Sequence, residues 1–188
     1  MIVQLFGKDI AKVLTIFCIS PGSRFQRKEL KEKTRLNNLV LDRILNVLLN
    51  SRVIKREKRW LLLNIENKEA RQVIELISKD YKELKEIPLD VYFPIIELIY
   101  LLGRLRGLDV YLFGSYAKLI FKENSDIDIA IVSEHISVKE KREVSNLTRK
   151  VKDRYDKILE IHYFTKKFYK NRKDPLVKDI IKNGVKLI

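Results

Sequence analysis

The stretch that most constrains this chain runs from Leu112 to Val132, LFGSYAKLIFKENSDIDIAIV. An apolar run ends in a Gly-Ser step, and a second apolar run opens on two aspartates, Asp126 and Asp128. The pattern predicts strand, tight turn, short helix, loop and strand. Side chains alternate faces along a strand. Asp126 and Asp128 therefore share a face, about 6.5–7 Å apart at their Cα atoms, with Ile127, Ile129 and Ile131 opposite. Two anions held side by side repel, and they cost stability unless a cation sits between them. Hard carboxylate oxygens suit magnesium. Twelve residues before Asp126 stands Gly114, followed by Ser115. A Gly-Ser step where a strand opens into a helix allows close backbone approach and presents N–H groups to phosphate.

A phosphate cradle followed by a carboxylate pair contains the parts of a nucleotidyl-transfer site. Gly114-Ser115 and Ser125-Asp126-Ile127-Asp128, the latter followed by Ile-Ala-Ile, resemble the signature of the DNA polymerase beta-type nucleotidyltransferases. The likeness is to their minimal archaeal and bacterial branch, over roughly Leu108 to Ile188. It implies transfer of a nucleoside monophosphate from a triphosphate, ATP by default, onto an acceptor hydroxyl, with pyrophosphate leaving. Asp126 and Asp128 would hold two magnesium ions. Ser115 and the N–H groups of Gly114 and Ser115 would grip the outer phosphates, with Lys118 and Ser125 completing the nucleotide site. The third carboxylate of such proteins comes from a strand beside the aspartate-bearing one. Glu160, in the run ILEIHYF, is the matching position, as cation ligand or as base for the attacking hydroxyl. His162, two residues on, reads as a partly exposed histidine at a sheet end. One departure stands out: the family commonly has Arg after the Ser and then a second Gly, where this chain has Tyr116 and Leu119.

Charge divides the chain. Residues 1–65 carry 14 Lys+Arg against 5 Asp+Glu, a net +9, out of a formal +14 for the 188 residues. Such an excess favours phosphate-rich partners. The same stretch reads as helix (Asp9 to Ile19), breaker (Ser20-Pro21-Gly22), charged helix (Phe25 to Lys33), turn, helix (Leu39 to Leu49) and two short strands around Lys55 to Arg59. This order resembles a winged helix-turn-helix domain. The resemblance makes Leu39 to Leu49 a recognition helix exposing Asn37, Asn38, Arg43 and Asn46, and the hairpin a wing carrying Lys55, Arg56, Lys58 and Arg59. The plainer reading is a helical scaffold that pairs with another protein.

Residues 66–87 read as an amphipathic linker helix, and 88–188 as the nucleotidyltransferase domain. Pro88 and Pro94 are expected to bracket a break, followed by an apolar helix from Phe93 to Arg106. Ser137 and Glu140 form a capping-box pattern for a helix to Tyr155, and Pro175 opens a last helix before a short strand, Val185 to Ile188. The expected class is α/β (α+β): a winged helix plus a small mixed sheet with helices on one face. One cysteine, Cys18, excludes an internal disulfide and a cysteine-based zinc site. No apolar run nears bilayer-spanning length and no signal-peptide pattern opens the chain, so a cytoplasmic protein is expected.

The transferred group's acceptor is left open among a protein, an RNA and a small molecule. Minimal members of the family often act as antitoxins on a toxin partner. The rival readings are a DNA-binding regulator whose nucleotidyltransferase-like domain senses nucleotide or is inert, and an interaction module with neither activity.

Overall fold

The computed structural model describes residues 3–188, in two compact units that divide between residues 82 and 83. In chain order the first unit contains helices α1 (Val3–Phe6) and α2 (Lys8–Ile19), strand β1 (Arg24–Phe25), helices α3 (Arg27–Thr34) and α4 (Asn38–Asn50), strands β2 (Ile54–Glu57) and β3 (Trp60–Leu63), and helix α5 (Lys68–Glu83). The strands form an antiparallel sheet in the order β1-β3-β2. Capping sets the helix starts. Gln26 and Glu29 make a reciprocal capping box on α3, and the Asn37 side chain accepts from the Val40 N–H at the start of α4. Leu41, Ile44, Leu45 and Leu48 are the buried stripe of α4. The strand β1 was not expected. Two residues leave no period to read, and its pairing of Arg24 with Leu62 is set by tertiary contact.

The second unit contains α6 (Leu89–Leu102), β4 (Leu108–Leu112), α7 (Gly114–Lys118), β5 (Ile127–Ser133), α8 (Val138–Tyr155), β6 (Leu159–Thr165), α9 (Lys166–Tyr169), α10 (Pro175–Asn183) and β7 (Val185–Lys186). The sheet order is β6-β5-β4-β7, with β5 parallel to β6 and the other pairs antiparallel. This is the mixed sheet of an α/β protein. Ser137 and Glu140 cap α8 reciprocally as the sequence indicates, and Asp174 caps α10 with Pro175 in its first turn. The break expected at Pro94 is absent: α6 runs through it. An internal proline costs about 3 kcal/mol. Burial of Val91, Tyr92, Phe93, Ile95, Ile96, Leu98 and Ile99 on the same helix outweighs that cost.

Strand β5 is buried on both faces. Ile127, Ile129 and Ile131 fill one. On the other, Ala130 packs with Phe113 and with Ile180 of α10, flanked by Tyr111, Phe164 and Tyr169. Asp128 lies on this second face by strand alternation, at the open end of that cluster. Among the described residues no helix is long and apolar enough to cross a membrane.

Candidate active site

The site begins with Gly114. It sits at φ +68°, a left-handed conformation that glycine adopts without steric cost. Phe113 N–H donates to the Asp128 carbonyl at 3.0 Å, which brings the bend against β5. A Cβ built on Gly114 would lie 1.9 Å from Asp128 Oδ2. The glycine is thus required twice, for its backbone angle and because the Asp128 carboxylate occupies the space over it. The Ser115 N–H donates to that carboxylate. This is one of the groups the sequence assigned to phosphate.

Parallel register sets Asp128 beside Glu160, and Ala130 beside His162. One ligand atom from each of Asp128, Glu160 and His162 lies within 4.8 Å of the others. His162 Nε2 is 3.2 Å from Glu160 Oε1, and the edge of Phe113 meets the His162 ring at 5.2 Å. Burial pushes the Asp128 carboxyl above the usual range, and the charges of Glu160 and Asp126 push it further, against His162 and the Ser115 N–H. A carboxylate disfavoured in this way accepts a cation readily. Two carboxylates and an imidazole at these separations fit a divalent ion.

Asp126 is not part of that cluster. It precedes β5, is exposed, and lines a pocket with Asn124, Lys152, Asp156 and Lys157. Its charge still reaches Asp128. Ser125 is used in the loop, where its Oγ accepts from the Lys122 N–H at 2.8 Å and its carbonyl from the Tyr116 hydroxyl at 3.3 Å. Lys118 ends α7 paired with Asp179 of α10 at 2.7 Å, so its charge is directed to a helix. The two departures from the family pattern have local explanations. Tyr116 is buried and stacks on Phe121 at 4.5 Å. Leu119, where the second glycine would stand, is itself left-handed at φ +60°.

Residues 108–188 match the family model "Polymerase beta, Nucleotidyltransferase". That match covers the sheet, Gly114, Asp128 and Glu160 of the second unit. No curated protein matches the chain. Among solved structures, a chain from the crystal structure of a mutant toxin-antitoxin MntA-HpeT is similar, at 23% identity and TM-score 0.34, over 50% of this chain and 72% of that one.

His162, which the sequence presents as a partly exposed histidine at a sheet end, stands instead within the Asp128–Glu160 cluster. Its signal was available: it lies two residues beyond Glu160 and so shares its face. What the sequence did not give was the parallel register that places both against Asp128.

In the first unit the residues proposed for nucleic acid are partly engaged. Asn37 is the α4 cap, and Asn38 accepts from Arg27, whose guanidinium also holds Asp42 at 2.6 and 2.8 Å. Lys55 lies 3.6 Å from Glu57 and 3.9 Å from Glu66. Arg43 and Asn46 on α4 are exposed, as are Arg56, Lys58 and Arg59 on the hairpin, where Lys58 takes the left-handed turn position.

Proposed function

We propose that the second unit transfers a nucleoside monophosphate, AMP from ATP, onto a hydroxyl group. The observation that supports this most is the carboxylate of Asp128 lying directly over Gly114, with Glu160 in register beside it. A triphosphate entering at that bend meets the Gly114 and Ser115 backbone and the acidic cluster together. Asp128 and Glu160 would hold a divalent cation, magnesium by the hardness of their oxygens, with Asp126 beside them at the entry. Such an ion supplies charge neutralisation for the phosphates and the leaving group. The acceptor oxygen forms a bond to the α-phosphorus while the bond to the β-phosphate oxygen breaks, and pyrophosphate carries away that electron pair. Glu160, more than half exposed, takes the hydroxyl proton. Ser115 and its N–H, which the Asp128 carboxylate accepts from in the free protein, would orient the outer phosphates. Positioning and charge neutralisation supply most of the rate.

The candidate acceptors are a protein hydroxyl, including that of a toxin-type partner, an RNA hydroxyl and a small molecule. Incubation with ATP labelled at the α-phosphate, a divalent cation and the proteins encoded beside this gene tests the reading. Label transferred by wild type and not by Asp128→Asn supports it, and equal labelling by both would remove it.

A second reading concerns the first unit. The exposed Arg56, Lys58 and Arg59 on one hairpin suit a phosphate backbone, as in a winged helix wing. A salt-dependent gel shift with mixed duplex DNA tests it: absence of any shift at low salt argues against nucleic acid.

A further inference from the structure

The carboxylates of the cluster are oxygen donors of the kind magnesium prefers, but the third member is an imidazole. Two ligand atoms bound to one ion at about 2.0–2.2 Å stand roughly 3–4.4 Å apart, depending on their angle. The 3.2 Å between His162 Nε2 and Glu160 Oε1 already falls within that span. The ligand atoms of the whole cluster lie within 4.8 Å of one another, so side-chain movement alone brings them onto one ion. The histidine is placed firmly. Its backbone is fixed opposite Ala130 in the β5–β6 register, and Phe113, the residue before Gly114, lies edge-on to its ring. Its side chain is 30% exposed, so an ion reaches it from solvent.

We propose that His162 is a nitrogen ligand of the cation site, and that it turns the site's preference from magnesium toward a first-row transition cation such as manganese(II). The reason is donor chemistry. Magnesium holds to oxygen donors in near-ideal octahedral geometry and gives up water reluctantly, whereas imidazole is a good ligand for the later divalent ions and a tolerated one for manganese. A set of two carboxylates and one imidazole therefore gains with manganese what it does not gain with magnesium. In the free protein the same Nε2 lies against Glu160, a contact that an ion bound between the two groups would replace.

The inference rests on the cation-binding part of the proposed function and not on its transfer step. The test uses tag-free full-length protein, because an affinity tag of histidines would bind the probe. Manganese(II) is added at one equivalent, and pulsed electron paramagnetic resonance reads nitrogen coupled to the bound ion. The expected result is a directly coordinated imidazole nitrogen in wild type. It is lost in His162→Gln and retained in His135→Gln, which alters the chain's other histidine. Competition titrations should show manganese binding at least tenfold more tightly than magnesium. His162→Gln should remove most of that margin while leaving magnesium affinity within about twofold, because an amide oxygen replaces the nitrogen. Bound manganese with no nitrogen coupling in wild type, or coupling unchanged in His162→Gln, overturns the proposal. So does a failure of manganese to bind at all. The wild-type spectrum decides the matter by itself should the variant misfold. Nitrogen coupling without AMP transfer sinks the transferase reading alone, and transfer without nitrogen coupling sinks the role of His162 alone.

Discussion

Two acids in the second unit are treated in opposite ways. Glu97 on α6 is almost fully buried, and the chain answers it from within: Arg154 donates at 2.8 Å and Tyr155 at 3.0 Å. Burial, and then the charge of Glu97, hold the Tyr155 hydroxyl in its protonated form, so it stays a donor. At Asp128, among the described residues, the side-chain charges acting on the carboxyl are Glu160, His162 and Asp126, two of the three of its own sign. The first acid ties α6 to α8. The second is held against a glycine bend where burial and two like charges outweigh the help it gets from His162 and the Ser115 N–H. The difference separates architecture from chemistry: where the chain meets the charge in full the group is structural, and where like charge prevails an outside cation has a reason to bind.

The contrast is breakable. Asp128→Asn should lower AMP transfer at least about 10³-fold, roughly 4 kcal/mol of barrier. In cation-free buffer the same variant should melt higher than wild type at pH 7. The folded carboxyl titrates above its unfolded value, so its stabilising protonated form is complete below the ordinary carboxylate range and is lost as pH rises through the raised value. Asparagine escapes that loss. A lower melting temperature would show that Asp128 is a structural acid like Glu97. Glu97→Ala should do the reverse, costing about 2–3 kcal/mol in chemical denaturation, less than a fully buried pair because Arg154 is 40% exposed. Cation affinity should stay at the wild-type level.

Gly114→Ala tests the contact that joins bend and carboxylate. A Cβ 1.9 Å from Asp128 Oδ2 forces the carboxylate aside, at a cost of about 1–3 kcal/mol in stability together with lost cation affinity. The smallest effect belongs to Lys118→Met. The surface pair with Asp179 is worth about 0.5 kcal/mol. The hydrogen bond from Lys118 lowers the Asp179 carboxyl, so this contribution is present above the ordinary aspartate range and disappears as pH falls through the lowered value. A drop in ATP affinity larger than about twofold in this variant would restore Lys118 to the phosphate role read from the sequence.

What was legible in the sequence was local. The Ser137–Glu140 box, Pro175 at a helix start and a glycine needing a left-handed angle each declare themselves within a few residues. The alternation of ILEIHYF correctly predicted a strand. Whatever depended on a distant partner was hidden. Lys118 and Asp179 are far apart in sequence, and nothing near Lys118 announces that an aspartate on α10 will take its charge. Pro94 reads as a breaker because its neighbours' burial is a property of the fold. Asp126 and Asp128 look equivalent in the chain, yet one precedes β5 while the other accepts from the Ser115 N–H and feels the charge of Glu160. His162 acquires its place only when β6 is laid parallel to β5.

Calorimetric titration of a divalent cation into tag-free protein tests the central claim most directly, comparing wild type, Asp128→Asn and Glu97→Gln. A single saturable binding event per chain is predicted for wild type and Glu97→Gln, and none for Asp128→Asn. Equal heats in wild type and Asp128→Asn, or no binding in any of the three, would contradict the account.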